Sequence, residues 1–187
     1  MTTEHQPHPG EPLSEVSLAS SVDPQPVSWF DHILKKLSGK RIYLDGNPYL
    51  TRYYLIGDGS GRRSELYLHY IQLKDPYRWL HNHPWRWFLS IVVRGHYTQE
   101  VLRPSASTRR RRMRVRFVNL FLGRDRYHAI HDVPKKGVWT LVLVPPKSND
   151  TERWGYWNED EDVHEPDTGD DSVNCQTVRF GAKQTFN

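Results

Sequence analysis

From residue 41 to residue 157 the chain is a run of short extended segments, each closed by turn residues, with no helical periodicity between them. The segment 41–44 ends at Asp45-Gly46-Asn47-Pro48, and 49–56 ends at Gly57-Asp58-Gly59-Ser60-Gly61. Residues 63–73 alternate apolar with polar side chains until Lys74-Asp75-Pro76. A strand around His81 follows, then segments at 86–94, 96–102, 113–117, 127–130, 138–144 and 153–157. About ten strands at this spacing cannot bury their apolar faces singly and must close on one another, which predicts an all-β sandwich or jelly roll.

The flanks differ. Residues 1–26 carry five prolines among Ser, Glu and Gln and are expected to be a disordered tail. Ser28 can cap a helix, with Asp31 three residues on, and Trp29, Phe30, Ile33, Leu34 and Leu37 recur at helical spacing before Gly39. A short helix over about 28–38 is predicted, packed on a β domain that occupies 27–158. Residues 159–187 are acidic and turn-rich and are expected to be mostly irregular.

With 187 residues, the chain suits one domain with a full core. Cys175 is the single cysteine, so no intrachain disulfide forms, and a reducing interior is the natural home. No basic segment followed by an apolar run opens the chain, and no apolar run approaches the ~20 residues of a membrane helix. The expectation is a soluble cytoplasmic protein with no membrane partner. The formal charge of +4 is unevenly placed. Arg103, Arg109, Arg110, Arg111, Arg112, Arg114 and Arg116 share a stretch without acids, while residues 150–171 are dominated by Asp and Glu. The Arg109–Arg116 cluster, expected to form a loop, has three readings. It contacts nucleic-acid phosphates, pairs with the chain's own acidic segment, or is merely solvated.

The chemistry concentrates at His81-Asn82-His83-Pro84-Trp85-Arg86-Trp87-Phe88. Residues two apart on a strand face the same side, so His81 and His83 project together, and Pro84 ends the ladder for want of an N–H. Two converging imidazoles suit Zn, Fe, Cu or Ni; the plainer reading is two histidines that only hydrogen-bond. His128 and His131, three apart, face opposite sides of their strand, so one of them can join the pair inside a barrel. His69 and His96 are candidates to hold the second nitrogen of a ligand or to touch substrate, against the plainer reading of ordinary strand histidines. Trp85, Trp87, Tyr97 and Trp139 either line a pocket for a flat substrate or are core.

His81-x-His83, Gly95 twelve residues later, the order of strands and a lone histidine on a later strand resemble the cupin superfamily. His81-Asn82-His83-Pro84-Trp85, Gly95-His96-Tyr97-Thr98-Gln99-Glu100 and Arg153-Trp154-Gly155 are similar to small cupin-like proteins of bacteria and phages. The resemblance spans roughly residues 40–157. It implies a double-stranded β-helix, a jelly-roll barrel with a short N-terminal helix and disordered tails, and it implies His81, His83 and His128 as metal ligands, with His131 as the substitute. The family's glutamate is absent: five residues after His83 stands Phe88. Glu100, Asp125 or Asp132 could supply a carboxylate instead. The implied cofactor is a divalent metal, Fe(II) favoured, with Zn, Ni, Mn and Cu also accepted by such donors. The implied activity is that of a metal-dependent oxidoreductase, a dioxygenase-like enzyme acting on a small molecule. The alternative is a non-catalytic cupin-like protein that binds a small ligand or, through Arg109–Arg116, nucleic acid. Because such barrels often pair, a homodimer is also implied.

Overall fold

The computed structural model describes residues 29–75, 80–104, 107–123, 125–147, 155–158, 161, 163–166 and 175–181. The proposed N-terminal tail, Arg153 and Trp154 lie outside these residues.

Apart from one short helix the described chain is extended. Helix α1 (Trp29–Leu34) is followed by β1 (Gly39–Leu44), β2 (Asn47–Ile56), β3 (Glu65–Ile71), β4 (Leu80–His81), β5 (Trp87–Arg94), β6 (Tyr97–Arg103) and β7 (Ser107–Val115). Then come β8 (Val118–Leu122), β9 (Tyr127–Asp132), β10 (Val138–Val144), β11 (Gly155–Asn158), β12 (Val163–Pro166) and β13 (Cys175–Phe180). Two antiparallel sheets result, ordered β13-β1-β2-β3-β10-β5-β8 and β12-β11-β4-β9-β6-β7. The quartets β3-β10-β5-β8 and β4-β9-β6-β7 face each other, the chain crossing between sheets at every step from β3 to β10 except the β6–β7 hairpin, which is the strand order of a jelly roll. Among the described residues no helix is long and apolar enough to cross a membrane.

Local sequence explains the joints. Asp45 (φ 49°) and Gly46 (φ 76°) both adopt positive φ between β1 and β2, the backbone of a tight two-residue hairpin whose twist matches its strands. Gly95 turns β5 into β6 at φ 89°, where an added Cβ would also sit 3.1 Å from the carbonyl oxygen of Gly137.

Alternation then sorts side chains by face. Phe88, Phe121, Tyr67, Trp85 and Val142 meet between the sheets, beside a second cluster of Ile71, Tyr97, Val115, Ile130 and Val138. Leu80, Leu102 and Tyr127 form a third, against which Trp157 packs. Phe30 of α1 meets Trp139 edge-on at 5.3 Å, and Trp139 stacks on Tyr70 at 4.5 Å. On β5 and β8, by contrast, Ile91, Val93, Val118, Leu120 and Leu122 remain exposed.

Three expectations change, and the C-terminal segment adds a finding of its own. The helix is shorter than predicted and leaves Ile33 exposed. The arginine cluster is mostly strand: β7 pairs with β6 from Tyr97↔Val115 to Arg103↔Ser107, and as the edge of its sheet it tolerates charge on both faces. Residues 118–122, not expected as a strand, pair with β5. Residues from 159 onward contribute two strands: β12 pairs with β11, and β13 pairs with β1 more than 130 residues earlier. A pairing that distant leaves no local pattern.

Candidate metal centre

The paired strands β4 and β9 build the site. His81 sits opposite His128 in their register, and this is the one residue pair they share among the described residues. His83 lies two residues beyond the end of β4, so the expected histidine strand is shorter than the motif. The rings still converge: one ring nitrogen from each of His81, His83 and His128 falls within 4.8 Å of the others. His131, on the opposite face of β9, is not among them.

Proton positions follow from the partners. Gln99, fully buried on β6, places Oε1 2.9 Å from His128 Nδ1. An amide oxygen only accepts, so His128 carries its hydrogen on Nδ1 and turns the lone pair of Nε2 inward. His83 Nε2 lies 2.8 Å from that nitrogen and, in the metal-free protein, donates a hydrogen to it. A cation that both rings ligate displaces this hydrogen. Gln99 is itself fixed by Asn119, which accepts from Gln99 Nε2 at 3.2 Å, donates back to Oε1 at 3.1 Å, and donates to the Tyr97 hydroxyl at 3.1 Å. On the other side, Asp75 Oδ2 is 4.0 Å from His81 Nδ1 and favours the hydrogen there. Asp75 accepts from the Ile130 amide at 2.5 Å and from the Tyr49 hydroxyl.

Electrostatics keep the donors ready. His83 and His128 are held well below the usual histidine range, chiefly by burial; neighbouring imidazoles add to this, with Arg52 and His69 also acting on His83 and Arg126 on His128. A neutral imidazole is the form that ligates. Phe88 stands where the sequence resemblance would place a glutamate. It meets His83 edge-on at 4.8 Å and stacks on Phe121 at 4.8 Å, so apolar rings wall this side of the triad. The donor set is therefore three imidazole nitrogens in a mostly apolar wall, which fits a borderline divalent ion such as Fe(II), Zn, Cu or Ni.

The triad opens on a cavity of about 580 Å³ between the sheets. Trp85 and Tyr97 line it as expected, and so does His69, which accepts a 2.9 Å hydrogen bond from Arg52 Nε. Trp87 and Trp139 do not line it. Trp87 follows the opposite face of β5 from Phe88, and Trp139 belongs to the outer cluster under α1. His96 instead hydrogen-bonds with Arg114 on the hairpin of β6 and β7. None of the three proposed carboxylates reaches the triad. Glu100 points away from Gln99 and accepts from Arg112 (2.8 and 3.2 Å) and Arg110 (3.0 Å), which hold its carboxyl below the usual range. Asp125 pairs with Arg103 at 3.6 Å, and Asp132 is exposed. Two of the clustered arginines thus serve an ion pair within their own hairpin.

Sequence reasoning missed Gln99, Asp75 and Arg52. Gln99 had one available signal, an amide at a position where alternation calls for an inward side chain.

No protein-family description matches the chain, and no curated protein matches it. Solved structures match in part. Fe(II) HppE is 12% identical at a TM-score of 0.41, covering 57% of this chain and 56% of that one. Rru_A2000 from Rhodospirillum rubrum, a cupin-2 domain, is 15% identical at 0.37, covering 54% and 62%. The capsular polysaccharide assembling protein CapF from Staphylococcus aureus is 11% identical at 0.44, covering 59% and 30%. The chain thus spans less than two thirds of the length of each. These likenesses are distant, and the jelly roll is read from this chain's own strand order.

Proposed function

We propose that the chain is a metal-dependent oxidoreductase, binding one divalent ion, Fe(II) in preference, on His81, His83 and His128 and oxidising a small molecule in the adjoining cavity. The observation that carries this is the convergence of three imidazoles, one buried and two half-buried and each able to present a lone pair, on the wall of a cavity large enough for an organic molecule. Fe(II), when bound, supplies the redox capacity and Lewis acidity that O₂ chemistry needs.

The chain's own residues do the rest. Gln99 holds the hydrogen of His128 on Nδ1, and Asp75 biases His81 the same way. Phe88, Phe121 and Trp85 keep water from the far side of the triad. Tyr97, Trp85 and the aliphatic wall confine the substrate body.

The test is reconstitution with Fe(II) followed by elemental analysis, with His81→Ala and His83→Ala as controls. About one equivalent in the wild type and loss in both variants is expected. Less than about a tenth of an equivalent in the wild type defeats the reading, since ligand loss costs more than the 10–100-fold typical of a supporting residue.

A further inference from the structure

Arg52 has no part in holding a metal, yet it lies inside the barrel. It stands on β2 and lines the same cavity as the triad. Its Nε–H is committed to His69, and its guanidinium carbon sits 4.6 Å from the centre of the Tyr67 ring. Among the described residues no carboxylate comes within the 4.0 Å of an ion pair. The nearest candidate, Glu65, is already satisfied by the Gly59 and Gly61 amides and the Tyr67 hydroxyl. A guanidinium held in an apolar wall without a counter-ion is costly unless something pairs with it.

The rest of the lining has the same bias. Lys40 and Lys147 are its other cations, and Asp75, whose oxygens are taken by Tyr49 and Ile130, is its one acid. The Trp85 indole N–H, also in the wall, is buried without a hydrogen-bond partner. The lining thus carries three cations against one acid whose oxygens are already engaged, and most of its remaining surface is aromatic and aliphatic.

We infer that this cavity takes a small organic acid, its carboxylate gripped by the two terminal amino groups of Arg52 and its apolar body lying among Tyr67, Trp85 and Phe88. This rests on the reading of the cavity as a substrate site and deepens it. The planar fork of arginine matches a carboxylate with two parallel hydrogen bonds, and an enclosed setting strengthens them. Arg52 is also near enough for its charge to act on His83 after burial, His128 and His81, so an acid held there lies beside the triad. His69 acts as a positioning residue. It accepts from Nε and is kept neutral mainly by burial and then by Arg52, so the fork stays turned to the same side.

The probes are phenylacetate, its neutral counterpart 2-phenylethanol, and acetate, titrated calorimetrically into the metal-loaded full chain. Metal content is measured in parallel. Phenylacetate is expected to bind at least tenfold more tightly than the alcohol, and acetate more weakly than phenylacetate for lack of an apolar body. In Arg52→Gln the preference for the acid should fall to within about threefold of parity while metal stoichiometry is unchanged. Arg52→Lys, which keeps the charge without the fork, should lie between. Equal binding of acid and alcohol by the wild type overturns the inference. So does an Arg52→Gln variant that weakens both alike, or the absence of acid binding in the millimolar range. If Arg52→Gln does not fold, the wild-type preference and Arg52→Lys decide. A chain that loads no ion but still prefers the acid refutes the metal reading alone. One that loads the ion without that preference refutes this inference alone.

Discussion

Replacing Gln99 with leucine tests how the triad is kept competent. The side chain is fully buried and holds two partners at once, His128 Nδ1 at 2.9 Å and the Asn119 amide. Leucine has similar bulk but no acceptor. Two groups are stranded, the His128 Nδ1–H and Asn119 Oδ1, while Asn119 Nδ2 keeps the Tyr97 hydroxyl. Each stranded group costs about 1–3 kcal/mol, less what the leucine gains by burial. The effect on the ion is separate. With no acceptor at Nδ1, the His128 hydrogen moves freely to Nε2, the nitrogen that must ligate. Losing such a supporting partner typically weakens metal affinity 10–100-fold, or about 1.4–2.7 kcal/mol. Chelator competition with Co(II), alongside urea unfolding of the metal-free chain, reads the two effects independently. Gln99→Glu, which keeps an acceptor facing His128, should bind Co(II) within a few-fold of the wild type. The reasoning is refuted if Gln99→Leu, folded by near-ultraviolet circular dichroism, binds Co(II) as tightly as the wild type.

Three further outcomes follow from the same geometry. His69, His83 and His128 stay neutral in the fold at pH values where the unfolded chain, titrating near 6.5, takes up protons. Stability of the metal-free protein should therefore hold above pH 6.5 and fall below it, by up to about 1.4 kcal/mol per pH unit for each histidine; urea midpoints that do not change from pH 7.5 to 5.5 contradict this. Glu100→Gln removes the anion that Arg110 and Arg112 share and should cost about 0.5–1 kcal/mol at low salt, less at high salt, by the same denaturation assay. Asn82→Ala strands the Gly155 amide, which donates to Asn82 Oδ1 at 2.8 Å, and should cost about 1–3 kcal/mol and weaken Co(II) binding.

Much of the fold was legible because alternation and turn residues are local signals. The jelly roll follows from strands at even spacing, and Asp45-Gly46 marks its hairpin without outside help. The His81 and His83 pair was legible for the same reason, since a separation of two residues fixes their common side. Gln99, Asp75 and Arg52 were not, because their roles depend on what faces them from strands tens of residues away. The arginine cluster misled because charge on both faces of an edge strand hides the period of two. Strands β12 and β13 are short and polar or acidic, and their partners decide their conformation.

One feature of the sheet bears on how such a centre is tuned. Strand β4 shares a single residue pair with β9, too little to fix alignment by ladder bonds alone. Two residues carry that duty: the Asp75 carboxylate grips the Ile130 amide on β9, and Asn82 exchanges hydrogen bonds with Gly155 at the start of β11 through its amide N–H and its side-chain oxygen. Slippage by one position would exchange His128 for a neighbour aimed at the other side of the sheet. The bite of the three donors is thus governed by a pair of buried latches, and altering a latch would re-aim the donors while the scaffold stands.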